Sequence, residues 1–212
     1  MTLNKDLNDV EADIVNRRGS EITTLFDQQI DAAEDHLKNA SVASIGNFAK
    51  DFSLEDTNGR KVTLSEILLS GPVILTFYRG SWCNFCNAAL RFWDRYVPEI
   101  EARGSKLFAI APEKIEVCRE FKAAAGLKFD LLSDSNNEVA TMYGLVYELP
   151  KAAKKTLSSF GTDVGIANGN GSWEVPVTAT YVIGKDQRVK LADCGPDYSK
   201  RLEPEAVLVA LQ

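Results

Sequence analysis

Over residues 3–38 apolar side chains recur at helical spacing, first Leu7, Val10 and Ile14, then Ile22, Leu25, Phe26, Ile30 and Ala33. Arg17-Arg18-Gly19-Ser20 interrupts the stripe, so the pattern predicts two consecutive helices. At Gly46 the pattern changes. Phe52-Ser53-Leu54 and Val62-Thr63-Leu64 flank Asp56-Thr57-Asn58-Gly59, whose Asn-Gly pair suits the positive backbone angles of a hairpin turn. Residues 72–78 are a near-continuous apolar run, as expected of a strand buried on both faces. A helix is expected over 87–102 on the stripe of Leu90, Trp93, Val97 and Ile100, with a right-handed crossover to a strand at 106–111. The alternation continues with a helix at 115–125, a short strand at 129–132 and a helix at 137–143. A long excursion to Trp173 precedes a hairpin of 178–183 and 187–192 turned at Gly184-Lys185-Asp186, and a helix at 203–211 closes the chain.

Parallel βαβ units finished by an antiparallel hairpin imply an α/β architecture, a central mixed sheet flanked by helices. The division expected is an N-terminal helical extension over 1–45 and a main domain over 46–212. The apolar stripe of the helical pair needs cover, which its own domain or a homodimer contact would supply. The Gly-rich stretch 166–172 reads as an exposed connection, because no helix clearly begins after it to form a phosphate cradle.

A chain of 212 residues, 45% hydrophobic and 25% charged, has the make-up of a soluble globular protein of one domain with an appendage. No apolar run approaches the roughly 20 residues of a membrane span, so no membrane partner is expected. The N-terminus mixes acidic and apolar residues instead of running from basic to apolar as a secretion signal does, which makes the cytoplasm the default compartment. A net charge of -6, with no basic cluster beyond Lys151, Lys154 and Lys155, argues against a nucleic-acid partner.

Four cysteines, Cys83, Cys86, Cys118 and Cys194, are too few for a secreted disulfide framework in a chain this long. Cys83-Asn84-Phe85-Cys86 follows the buried strand and stands at the start of a helix, where unpaired N–H groups and the positive end of the helix dipole favour a thiolate. Cysteines in such sites reach pKa values of ~7 or below, against ~8.5 when free. Cys86, one turn later on the same face, is placed to attack a mixed disulfide or sulfenic acid formed at Cys83. A zinc site would need two further ligands, and Cys118, Cys194 and the lone His36 are isolated, so neither a metal nor a cofactor is expected. Cys118 and Cys194 read as small semi-buried hydrophobes, either able to resolve Cys83 should the fold bring it close. His36, near the end of the second helix, reads as a contact with that helix's C-terminal dipole.

The stretch Phe77-Tyr-Arg-Gly-Ser-Trp-Cys-Asn-Phe-Cys-Asn-Ala-Ala-Leu90 resembles the peroxiredoxin-like branch of the alkyl hydroperoxide reductase/thiol-specific antioxidant (AhpC/TSA) family. So do Ala49-Lys-Asp-Phe-Ser-Leu54, Gly126-Leu-Lys-Phe-Asp-Leu-Leu-Ser-Asp134, Tyr143-Gly144 and Val177-Thr-Ala-Thr-Tyr-Val-Ile183, which extends the resemblance over 46–212. It implies a thioredoxin-like fold with Cys83 in the peroxide-attacking or disulfide-attacking position. The chain departs from the family's Pro-x-x-x-Thr/Ser-x-x-Cys loop: Gly80 stands three residues before Cys83, and Ser81 offers a hydroxyl at another offset. Thr178 stands where those enzymes place an arginine and thioredoxins a cis-proline, with Pro176 two residues earlier, so Ser81, Thr178 and Pro176 are expected to line the substrate site.

Arg79 is the local replacement, a guanidinium able to lower the Cys83 pKa and to donate to a peroxide oxygen or a substrate carboxylate. Trp82 reads as a lid over Cys83. Asp197-Tyr-Ser-Lys-Arg201 also resembles this branch and carries no chemistry at this level. The resemblance implies an antioxidant enzyme in which Cys83 attacks a hydroperoxide, becomes a sulfenic acid, condenses with Cys86 and is reset by thioredoxin or a similar dithiol. The same pair serves equally a thiol-disulfide oxidoreductase acting on protein or small disulfides. A non-enzymatic redox sensor is the third reading.

Overall fold

The apolar runs assemble into a seven-stranded mixed sheet in the computed structural model, which describes residues 2–211. Its spatial order is β2 (Lys61–Thr63), β1 (Ser53–Asp56), β5 (Asp130–Ser133), β4 (Lys106–Ala111), β3 (Val73–Phe77), β8 (Ala179–Ile183) and β9 (Val189–Cys194). β3, β4 and β5 run parallel, whereas the β1–β2 hairpin and the β8–β9 hairpin flank them antiparallel. This is the thioredoxin-like arrangement. In β3 and β4, Ile74, Leu107 and Ala109 join one core while Val73, Leu75, Phe77, Phe108 and Ile110 join the other. Both faces are covered, which is why these strands read as continuous apolar runs.

The helices are α1 (Leu3–Arg18), α2 (Ile22–Asn39), α3 (Leu64–Leu68), α4 (Asn84–Asp94), α5 (Val97–Ala102), α6 (Ile115–Ala125), α7 (Glu138–Met142), α8 (Lys151–Ser159), α9 (Val164–Asn168) and α10 (Pro204–Ala210). The helix expected over 87–102 is two helices broken at Arg95-Tyr96. Pro98 sits in the first turn of α5, where its missing N–H costs nothing, and would have disrupted one continuous helix. α4 also begins at Asn84, three residues before the expected start at 87, which places Cys83 at its N-cap. β9 starts at Val189 rather than 187, because the turn extends through Gln187, whose φ is 62°, and closes with Gly184 N–H donating to Arg188 O at 2.9 Å.

The excursion before Trp173 is structured. β6 (Val146–Glu148) pairs antiparallel with β7 (Glu174–Pro176), and α8 and α9 lie between them. Part of the Gly-rich stretch is helical: the Asp163 carboxylate accepts from Ile166 N at 3.0 Å to start α9, and Gly169, with φ 82°, ends it.

The N-terminal helices find their cover within the chain. Leu3 and Leu7 are fully buried in the core that holds Phe92, Trp93 and Tyr198. Ile22, Leu25 and Ala33 pack with Tyr147, Leu149, Val175 and Val177 of the excursion. Rather than serving its own helix end, His36 donates from Nε2 to the Gly144 carbonyl at 2.9 Å and ties α2 to the loop before β6. Among the described residues no helix is long and apolar enough to cross a membrane.

Candidate active site

The loop from β3 to α4 carries Arg79, Gly80, Ser81, Trp82 and Cys83. Tyr78 N–H still donates to Ile110 O, 3.0 Å, and then the chain turns sharply at Gly80, whose φ is 144°. A Cβ at Gly80 would lie 2.3 Å from the indole nitrogen of Trp82, so only glycine fits between the loop and that ring. Cys83 N–H donates back to Gly80 O at 3.2 Å, and Cys83 O accepts the first helical bond from Asn87 N at 3.0 Å. Ser81 is held from below. Its N–H and hydroxyl donate to the two oxygens of the Glu113 carboxylate at 2.8 and 2.7 Å. Glu113 is wholly buried, and burial raises its pKa.

Cys83 is 4% exposed, yet its pKa falls to about 6. The largest cause is the Cys86 thiol, which donates to the Cys83 sulfur; the Arg79 charge, the Cys86 backbone N–H and the Arg201 charge add to it against the cost of burial. Cys86 moves the other way, pushed well above the ordinary thiol range by burial and by sharing its proton with Cys83. The pair therefore divides into a readily ionised thiol and a protonated partner. All four cysteines are free thiols.

Arg79 is 2% exposed and lacks a carboxylate partner among the described residues. Its Nη2 donates to the Gln29 side-chain oxygen, its guanidinium lies 4.0 Å from the Tyr198 ring centroid and 5.0 Å from that of Trp82, and its Nε is buried without a partner. Burial opposes its charge, but Tyr147, Cys83, Tyr198 and Cys86 outweigh it, so Arg79 remains a cation. Gln29 in turn donates to the Tyr198 hydroxyl at 3.3 Å, which joins α2, the β3–α4 loop and the segment after β9 into one polar cluster.

A cavity of about 240 Å³ lies over Cys83. α1 and α2 contribute Ile14, Arg17, Arg18, Ile22, Leu25, Phe26 and Gln29 to its lining, the β3–α4 loop contributes Arg79 and Trp82, and Leu157, Phe160 and Tyr198 add to its wall. Of the residues expected to line the substrate site, Trp82 lines this cavity. Ser81 turns toward Glu113, Pro176 sits in β7 opposite Val146, and Thr178 is buried just before β8; these three do not line this cavity. Cys118 lies behind the loop, fully buried, 3.7 Å from Glu113 O and 4.0 Å from the Tyr78 hydroxyl. Burial pushes Cys118 and Cys194 each up to about 12, so neither shares the ionisation of Cys83. Among the described residues no three His, Cys, Asp or Glu side chains gather as a metal site.

Four residues of the site escaped sequence reasoning: Gln29, Glu113, Tyr198 and Arg201. Gln29 carried a signal, being a polar residue midway between Leu25 and Ala33 on the buried face of α2. Tyr198 and Arg201 stand in the family-like Asp197-to-Arg201 stretch. Nothing at the level of pattern separates Glu113 from any other acid after a strand.

A thioredoxin-like sheet with a cysteine pair opening the helix after its central strand defines a thiol-redox class of site. The AhpC/TSA family model matches residues 45–192, and the chain belongs to that family. It is 29% identical over 163 residues to the putative chloroplastic peroxiredoxin Q of Oryza sativa subsp. indica, covering 76% of this chain and 62% of that protein. It is 26% identical over 102 residues to the thiol-disulfide oxidoreductase ResA of Bacillus thuringiensis, covering 48% of this chain and 58% of that protein. The chain thus spans about three fifths of the length of these curated relatives. Among solved structures, peroxidoxin BcpB of Mycobacterium tuberculosis shares the fold with a TM-score of 0.63, 21% identity, and coverage of 80% of this chain and 96% of that one. The helices α1 and α2, and with them Gln29, precede the family match, and Tyr198 and Arg201 follow it.

Proposed function

We propose that the protein is a thiol-dependent peroxidase in which Cys83 is the nucleophile and Cys86 resolves it. One observation carries this reading: a buried cysteine at a helix start, held as a thiolate beside a buried arginine with no carboxylate partner, under a small cavity of mixed apolar and basic lining. The Cys83 thiolate attacks one oxygen of a hydroperoxide; an S–O bond forms, the O–O bond breaks, and the departing alkoxide or hydroxide takes up a proton. Arg79 stabilises the thiolate and the charge developing on the leaving oxygen. Cys86 then attacks the sulfenic acid, water leaves, and a thioredoxin-like dithiol reduces the resulting disulfide. The roof of α1 and α2 favours a small hydroperoxide over a folded disulfide partner at the oxidising step. The few, unevenly spaced cysteines do not make a secreted disulfide framework, and we assign the protein to the cytoplasm. A homodimer is compatible with this scheme and is not required by it.

The second reading is a thiol-disulfide oxidoreductase acting on disulfides. The division of Cys86 and Cys83 into protonated and ionised partners one helical turn apart supports it. Single-turnover oxidation of the pre-reduced protein by hydrogen peroxide, an organic hydroperoxide and a model disulfide separates the two, with thiols counted in the wild type and Cys86→Ser. Peroxidase chemistry gives fast peroxide oxidation and a trapped sulfenic acid in Cys86→Ser. Peroxide oxidation no faster than that of a free thiol, together with fast disulfide exchange, overturns it in favour of the second reading.

A further inference from the structure

Arg201 lies in the irregular segment between β9 and α10, and its side chain makes no ion pair among the described residues. Nη1 donates to the Lys200 and Asp197 carbonyls at 2.9 and 3.5 Å, which leaves Nη2 to reach the Cys86 sulfur at 3.9 Å. The backbone that presents it is clamped by the start of α1. Asn4 accepts from Arg201 N at 3.1 Å and donates to Arg201 O at 2.7 Å, while Leu3 N and Asn4 N donate to the Glu203 carboxylate at 2.7 and 3.0 Å. A guanidinium free of carboxylates is thereby fixed against the resolving sulfur, not against the nucleophile's loop.

We propose that Arg201 is a catalytic residue of the second half of the cycle, holding Cys86 as a thiolate when it attacks oxidised Cys83 and again when it leaves during reset. This rests on the dithiol cycle proposed above. In the condensation the Cys86–Cys83 S–S bond forms as the Cys83 S–O bond breaks, and the departing hydroxide takes the proton that Cys86 gave up and leaves as water. In reset the reductant's thiolate bonds Cys83, and the electron pair of the broken S–S bond goes to Cys86. Both steps pass through a Cys86 thiolate, which burial opposes. The titratable and charged groups around that sulfur are Cys83, Arg79, Arg201, Tyr78 and Tyr147, so the two arginines are its cations and Arg79 is already engaged with Gln29. Arg201 can serve Cys86 without being withdrawn from another anion.

The test follows two steps separately in the full chain. Pre-reduced protein is mixed with one equivalent of tert-butyl hydroperoxide, and sulfenic acid and disulfide are timed by dimedone trapping and free-thiol counts. In Arg201→Met the loss of the first thiol stays within about threefold of wild type, whereas disulfide formation slows by about tenfold and its pH midpoint moves up, since a neutral side chain leaves Cys86 harder to ionise. Arg201→Lys restores part of the rate. Asn4→Ala, which frees the backbone at residue 201, slows the same step by about threefold and carries the test should Arg201→Met not fold. A second arm needs no peroxide: reduction of the pre-formed Cys83–Cys86 disulfide by dithiothreitol slows by about tenfold in Arg201→Met, because a poorer thiolate leaves more slowly. Failure of the wild type to react with peroxide counts against the peroxidase reading and leaves this arm standing. Disulfide formation and reduction in Arg201→Met and Asn4→Ala at wild-type rates, with unmoved pH midpoints, overturn the proposal.

Discussion

Cys83 and Cys118 are shut away from water to nearly the same degree, 4% and 0% exposed, yet one titrates at about 6 and the other at about 12. Burial acts on both in the same direction, disfavouring the thiolate. The difference lies in what each sulfur meets. Cys118 sits in the first turn of α6, where burial and the nearby Glu113 charge raise its pKa and outweigh the Tyr78 hydroxyl, which lowers it. Cys83 caps α4, receives a thiol and an N–H from Cys86, and faces Arg79. A low thiol pKa in this protein is therefore made by donors and a cation inside a dry site; exposure plays no part in it.

The comparison breaks most visibly at the sulfur itself. Cys83→Ser is expected to abolish peroxide-dependent turnover, measured by coupled reductant consumption. Cys118→Ser keeps turnover within about twofold of wild type and lowers unfolding stability by about 1–2 kcal/mol, because a hydroxyl replaces a thiol in an apolar setting. The next effect is on charge. The thiolate is the reactive form, so the rate of iodoacetamide alkylation rises through pH 6 and levels off above it in the wild type. In Arg79→Ala the midpoint of that profile moves up by about one pH unit, and the rate at pH 6 falls by about fivefold. An unchanged profile would remove Arg79 from the chemistry. Smallest is the effect at one remove. Gln29→Leu takes away the acceptor that orients Arg79, and the same midpoint is expected to shift up by about half a unit.

Much of the site was legible because its chemistry is local in the chain. A cysteine pair three residues apart after a buried strand reports a helix N-terminus, and Arg79 and Trp82 lie within four residues of Cys83. Ser81, Thr178 and Pro176 were chosen by offset from the family pattern, and here offset is a poor guide to direction. Ser81 stands two residues from Cys83 yet turns to Glu113, because a buried carboxylate there offers two acceptors to the loop's N–H and hydroxyl. Gln29 and Arg201 lie 54 and 118 residues away from Cys83, and no spacing rule spans such distances.

Strand and helix order, the double-sided burial of β3 and β4, and the position of Cys83 at a helix start all follow from patterns confined to a few turns of chain. Those patterns act through backbone hydrogen bonding and the burial of neighbouring apolar side chains, so they can be read locally. The break at Pro98 belongs to the same level: the residue was in plain view, and only its place in a first turn had to be recognised. The roof of α1 and α2, the Gln29–Arg79–Tyr198 cluster and the approach of Arg201 to Cys86 belong to another level. They arise because the apolar faces of the N-terminal helices need cover and find it on α4 and on the β6–β7 excursion, which carries their polar residues over Cys83. Long-range packing, not local pattern, thus selects which charges meet the two sulfurs, since the strength of a charge contact depends on distance in space and dryness, and neither is written in sequence separation.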